Sequence, residues 1–147
     1  LSTVWRGVQT DLALPAPAIA VSGIDGHQLW FSLSESVPAA EAQAFLESLR
    51  LRYLRGVKQE RIAMMPSANA SAKQKPHHAR MVPALQEESG RWSAFVTSDL
   101  AAIFVDEPWL DLAPNPDAQA NVLSRLECIK PAVFQAILDE SGLWPRP

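Results

Sequence analysis

The stretch SGIDGHQ, residues 22–28, combines a hydroxyl, a carboxylate, an imidazole and an amide with two glycines between two short apolar runs. Backbone N–H groups in such loops, with hydroxyl and amide side chains beside them, are donors that proteins use to hold phosphate groups. The same residue types also build tight turns, in which Gly23 and Gly26 supply positive φ angles and the polar side chains satisfy the backbone. Both interpretations, a phosphate-binding loop and a plain turn, are open at this point.

The other residues whose side chains could take part in chemistry form no recognised catalytic set. The histidines are His27, His77 and His78, and adjacent residues of an extended chain point to opposite sides, which argues against a histidine metal site. Gly-x-Ser-x-Gly, Walker and Gly-x-Gly-x-x-Gly motifs are absent from the sequence. Cys128 has no neighbouring base and is predicted to be a small buried hydrophobic residue. The sequence therefore predicts no catalytic residue and no bound metal.

Charge is distributed unevenly along the chain, although the net charge is only −3. Residues 55–80 contain six basic residues and one acid, whereas residues 86–117 contain seven acids and the single base Arg91. Such runs are solvated surfaces in many proteins. The alternative is that the basic segment meets phosphate groups and steers a polyanion to one end of the domain.

Apolar periodicity predicts the helices that would support these groups. Apolar residues at helical spacing predict a helix over 38–54 that ends at Gly56 and covers one face of a sheet through Phe45, Leu46 and Leu49. Further helices are predicted near residues 4–12, with Ser2 or Thr3 as the cap, and near residues 99–104, 117–126 and 132–139.

Short apolar runs between turn residues predict the strands. Residues 18–33 are predicted to form an antiparallel hairpin in a sheet that also contains 61–65 and 80–85. A further strand is predicted at 92–96 after the turn at 87–90. Trp30 and Trp92 lie in predicted strands and are expected in the core. The order α-β-β-α-β-β-β-α-α-α indicates an α+β domain with a mainly antiparallel sheet and covering helices.

Length and composition indicate one domain over residues 1–147, with a helical tail at 106–147 packed on it. Because the chain starts at Leu1 rather than methionine, we expect it to be a fragment of a longer chain. No apolar run approaches the roughly 18 residues of a membrane span, so no membrane partner is expected. The single cysteine favours a cytoplasmic location.

Residues 20–30, AVSGIDGHQLW, resemble the Ser-Gly-x-x-Gly-x-His-hydrophobic-Trp hairpin of archaeo-eukaryotic-type primases. That superfamily includes plasmid and phage primases and the polymerase domains of bacterial end-joining ligases. Segments 62–66, 79–85 and 90–96 are similar to the family's next strands and follow in the same order, and 116–131 resembles the helical tail of some members. The resemblance implies an RRM-like primase half, a bacterial source, and nucleotide or single-stranded nucleic acid as the ligand.

The resemblance also implies which residues contact phosphate. Ser22, Gly23, Gly26 and Arg80 match positions of the family's motif, and Gln28 stands where the family has a phosphate-contacting histidine. His27 lies one residue early and would face the opposite side of the strand. With two cations of the polar loop added, the predicted phosphate-binding residues are Ser22, Gly23, Gly26, Gln28, Lys73, Lys75 and Arg80.

The chain departs from the primase pattern at the metal-binding acids. No Asp-x-Asp or Glu-x-Asp pair precedes Ser22, and Ala63 and Met64 stand where the family's third acid is expected. Without these carboxylates there is no two-metal site to align a 3′-hydroxyl and neutralise a triphosphate. We therefore expect no cofactor and no catalytic activity from residues 1–147. Mg²⁺ and a primase-type nucleotidyltransferase activity are expected only if an upstream segment carries an acidic pair and the third acid is replaced elsewhere.

Two functions from different classes follow from these observations. The first is a primase-like domain that has lost catalysis and binds single-stranded nucleic acid or nucleotide weakly. The second is a protein-interaction or scaffold domain that contacts another protein through its acidic C-terminal half and its Pro- and Trp-containing segments.

Overall fold

The computed structural model of the protein describes residues 1–24, 26–58, 61–65, 81–104 and 107–142. These ranges form an α+β fold, as the sequence predicts. The helices are α1 Ser2–Asp11, α2 Ala39–Tyr53, α3 Ser98–Ala101, which continues into a 3₁₀ turn at Ala102–Phe104, α4 Pro116–Ser124 and α5 Pro131–Ser141. The strands are β1 Ala18–Val21, β2 His27–Trp30, β3 Leu85–Gln86, β4 Arg91–Trp92 and β5 Ala94–Val96.

The predicted hairpin supplies the central strand, β1, and one edge strand, β2, of the main sheet. β1 and β2 pair antiparallel, with Ala18 opposite Trp30 and Val21 opposite His27, and β5 pairs antiparallel with the other side of β1. Helices or turns cover both faces of this three-stranded sheet. Because side chains alternate along β2, Gln28 and Trp30 lie on the face covered by α4, whereas His27 and Leu29 lie on the opposite face.

The prediction that residues 61–65 form a strand of the sheet is wrong. These residues adopt no strand, the N–H of Arg61 bonds back to the carbonyl of Lys58 in a turn, and Met65 is 45% exposed. β5, which lies about 75 residues beyond β1, pairs with β1 instead. An apolar run becomes a strand only when a partner and a covering layer exist for it, and this run has neither among the described residues.

The strand predicted at 79–85 is also wrong over its described part. Residues 81–84 form no strand. Of the predicted strand, only Leu85 joins a sheet, the separate two-stranded sheet of β3 and β4. Pro83 has no N–H for a ladder, and the Ala84 backbone bonds to Ser93 instead. Ser93, which is 2% exposed, also interrupts the single strand predicted at 92–96 and lets the chain pass from one sheet to the other.

The main core lies among α1, α2 and α5. Phe45 is 2% exposed; its ring packs edge-to-face with Phe31 and at a tilt against Phe134, at ring-centroid distances of 5.6 and 5.0 Å. Leu49 is also buried, and Leu46 is half-buried against the same cluster, so the predicted inner face of α2 is confirmed. This cluster joins the helices to the sheet through Leu29 and neighbouring residues of β2.

Several local predictions are corrected by the structure. Cys128 is exposed rather than buried, with its Sγ 3.1 Å from the Ser32 hydroxyl. Leu1, not Ser2 or Thr3, occupies the N-cap of α1. Helix α2 ends at Tyr53, three residues before Gly56. The two strand tryptophans, Trp30 and Trp92, are half-buried rather than fully enclosed.

No helix within the described residues is both long and apolar enough to cross a membrane.

Candidate functional site

The turn between β1 and β2 uses its own donors. The N–H of Ser22 donates to the Gly26 carbonyl at 2.8 Å, and the Ser22 Oγ accepts from the N–H groups of Ile24 and Gly26 at 3.1 and 3.0 Å. The N–H of Gly23 donates to the carbonyl of Pro108 at 2.8 Å. Four backbone donors that could have cradled a phosphate are thus engaged inside the protein, and this observation favours the turn interpretation.

Gly23 is required by the geometry of this turn. Its φ is +80°, in the left-handed region that glycine adopts without steric cost. A Cβ at this position would lie 2.8 Å from the Ser93 nitrogen and 3.1 Å from the Trp92 carbonyl carbon. The turn therefore packs backbone against backbone on the β4–β5 segment, whereas a Cβ on Gly26 would meet nothing within 4 Å.

The two polar residues at the start of β2 also have structural partners. The Gln28 Oε1 accepts a hydrogen bond from the Trp30 indole N–H at 3.0 Å. The His27 Nε2 lies 3.1 Å from the Ala101 carbonyl oxygen and ties β2 to α3. The two side chains lie on opposite faces of the sheet, as the sequence predicts, so His27 does not take the position of Gln28.

The structure brings together four of the predicted phosphate-binding residues, Ser22, Gly23, Gly26 and Gln28, around one turn. Lys73, Lys75 and Arg80 lie outside the described residues, as do His77 and His78.

An arginine–tryptophan pair that the sequence does not reveal lies beside this turn. The guanidinium carbon of Arg91 is 3.7 Å from the centroid of the Trp109 ring, a stacked cation–π contact between two half-buried side chains. We call these two residues the Arg–Trp stack. Arg91 belongs to β4, where it pairs with Gln86, and Trp109 lies in the segment that follows Glu107.

Backbone hydrogen bonds hold the Arg–Trp stack against the turn. The N–H of Trp92 donates to the Leu110 carbonyl at 2.8 Å, and the N–H of Leu110 donates back to the Trp92 carbonyl at 2.9 Å. The residue before Trp109, Pro108, accepts the hydrogen bond from Gly23. The turn, β4 and the Trp109 segment consequently form one end of the domain, with a flat cation on an aromatic ring as its most distinctive chemical feature.

Among the residues that the structure describes, no cluster of three or more His, Cys, Asp or Glu side chains could hold a metal ion. The Arg–Trp stack is thus the candidate site that the described residues offer beside the turn.

No family model, no curated protein and no solved structure matches this chain. The resemblance to primases stays a prediction from the hairpin and the order of the motifs.

Proposed function

We propose that this chain is a non-catalytic domain that binds single-stranded nucleic acid weakly, with the Arg–Trp stack as its contact for bases and phosphate. The observation that carries the proposal is the 3.7 Å contact between the Arg91 guanidinium and the Trp109 ring. Unpaired bases stack on aromatic rings and on guanidinium planes, and guanidinium also binds phosphate in a bidentate manner. A stacked pair offers both modes at one place.

The turn at 22–28 has a positioning role in this proposal. Its backbone donors are engaged internally, and the bond from Gly23 to Pro108 fixes the segment that carries Trp109. The likeness of this hairpin to that of primases points to the same class of ligand, although the contacting residues differ from those that the resemblance implies.

The basic segment 55–80 supplies the electrostatic part of the proposal. Arg55, Lys58 and Arg61 are exposed beyond the end of α2. Lys73, Lys75 and Arg80 add three positive charges in the same segment. Phosphate contacts of this kind dominate affinity for nucleic acid and make it dependent on salt.

Substitutions in the Arg–Trp stack test the proposal. Trp109→Ala is expected to weaken binding of a fluorescein-labelled oligothymidylate of about 12 nucleotides by roughly 5- to 100-fold, because stacking of one base contributes about 1–3 kcal/mol. Arg91→Ala is expected to weaken binding as well. Arg125→Ala removes an exposed arginine at the end of α4 and serves as the matched control, with little change expected.

Fluorescence anisotropy measures the three affinities, and circular dichroism confirms that each variant is folded. If the parent, Trp109→Ala and Arg91→Ala chains bind the oligonucleotide with equal affinity, the Arg–Trp stack is not its binding contact. Equal losses in Arg125→Ala and Arg91→Ala would show that binding depends on net charge alone.

A further inference from the structure

The layer formed by α3 and the following 3₁₀ turn is attached to the sheet on one side only. Ala101 and Phe104, together with Leu110, pack against the sheet face formed by Val21, Ala94 and Val96. The bond between His27 and the Ala101 carbonyl holds this layer at its centre. The inner side of this layer therefore packs against the sheet.

The outer side of the same layer exposes large apolar side chains. Leu100 is 44% exposed and Ile103 is 69% exposed, and a spacing of three residues along a helical segment places both on the same side. Leu112, two residues after the packed Leu110, is 80% exposed. Neighbouring exposed apolar side chains of this size, such as Leu100 and Ile103, are typical of interaction surfaces.

Acidic residues flank these apolar residues in the sequence. Residues 92–124 contain five acids and no lysine, arginine or histidine. Asp99, Glu107 and Asp111 are exposed. A side-chain hydrogen bond from Thr97 lowers the pKa of the Asp99 carboxyl below its ordinary value.

We propose that Leu100, Ile103 and Leu112, with the carboxylates around them, form a docking surface for a basic amphipathic segment of another protein. Charge complementarity selects this occupant. A second copy of the chain, paired through the same surface, would bring like charges together. Anionic lipid headgroups would be repelled for the same reason.

A labelled helical peptide of leucine and lysine, with leucines spaced three and four residues apart, is the probe for this surface. Leu100→Ser/Ile103→Ser is expected to weaken its binding about tenfold, because buried apolar anchors carry most of the affinity of such contacts. The matched control, Leu123→Ser/Val133→Ser, removes two apolar side chains that are each 39% exposed on other helices, and it should bind like the parent. Both double variants keep the charge of the chain, so nonspecific attraction to an acidic protein is the same in each.

Two further measurements complete the test. A peptide of leucine and glutamate with the same pattern should bind at least about tenfold more weakly than the lysine peptide if charge selects the partner. Equal binding of the lysine peptide to the two double variants would overturn the proposal, as would equal binding of the two peptides. Sedimentation that shows a dimer of the parent chain, absent in Leu100→Ser/Ile103→Ser, would also overturn it by identifying a second copy as the occupant.

Discussion

Gln119 closes the open edge of the three-stranded sheet, and its replacement tests how the sheet is held. The Phe95 N–H donates to the Gln119 Oε1 at 2.8 Å, and the Gln119 Nε2 donates to the Phe95 carbonyl at 2.9 Å. The side chain thus imitates the backbone of a further strand. Gln119 is 9% exposed, so water does not readily replace it.

Gln119→Leu keeps the approximate size of the side chain but leaves the Phe95 N–H and carbonyl unsatisfied. Each unsatisfied buried group costs about 1–3 kcal/mol, and the added apolar burial offsets roughly 1 kcal/mol. We expect a loss of about 1–5 kcal/mol in the free energy of unfolding, which lowers Tm by about 3–15 °C in a domain of this size. Gln135→Leu, at an exposed position of α5, is the matched control and should change stability by less than about 0.5 kcal/mol.

Gln119→Glu gives the same prediction a pH dependence. The protonated carboxyl can donate to the Phe95 carbonyl, whereas the carboxylate faces that oxygen with a negative charge. The pKa of the introduced carboxyl is therefore raised in the folded state above its unfolded value of about 4.3. The destabilisation relative to the parent should be small below that unfolded pKa, grow as the pH rises through the folded pKa, and be complete above it. Urea unfolding followed by circular dichroism measures it. If Gln119→Leu equals the Gln135→Leu control, or Gln119→Glu shows no pH dependence, the reasoning about this edge is refuted.

Three more predictions concern backbone packing and catalysis. Gly23→Ala should lower the free energy of unfolding by about 2–4 kcal/mol, because its Cβ would sit at positive φ and 2.8 Å from the Ser93 nitrogen. Gly56→Ala, with open space around it, should be nearly neutral. Equal urea midpoints for the two variants would contradict this. Gly7→Ala should destabilise by about 1–2 kcal/mol although alanine favours helices, since its Cβ would lie 2.6 Å from the Tyr53 Cζ; an increase in Tm would contradict this. The chain should incorporate no labelled nucleotide into a primed template with Mg²⁺ or Mn²⁺, and template-dependent incorporation that is lost on mutating one of its acids would show that a catalytic site exists.

Local patterns predicted the elements whose partners are close in sequence. The hairpin of β1 and β2 follows from two apolar runs joined by a glycine-containing turn, and its two strands pair with each other. Helix α2 follows from the spacing of its buried residues, and α5 begins at Pro131. In each case the periodicity or turn chemistry of a single stretch is enough.

Features that depend on distant partners could not be predicted in this way. The apolar run at 61–65 resembles a strand, but β5 pairs with β1, and no local pattern encodes that choice. The Arg–Trp stack joins a residue of β4 to a residue 18 positions later in an irregular segment, so no periodicity marks it. Cys128 has the size of a core residue, and only the packing around the adjacent Ile129 determines that Cys128 faces outward.

The role of the turn at 22–28 was open for the same reason. Its residue types suit a phosphate loop and a turn equally well, and the outcome depends on Pro108, some 85 residues away, which accepts the bond from Gly23. The candidate site therefore moves from the turn to the Arg–Trp stack that the turn supports.

The most direct test of the proposed function is the salt dependence of binding to a labelled single-stranded oligonucleotide. Each neutralised phosphate on a single strand contributes about −0.7 to the slope of log affinity against log salt concentration. Lys73, Lys75 and Arg80 together should account for about −2, and Arg91 for a further −0.7. Replacing Lys73, Lys75 and Arg80 by alanine should reduce the magnitude of the slope by about 2, and Arg91→Ala alone should reduce it by about 0.7. Undetectable binding at low salt, or a slope that neither variant changes, would contradict the account.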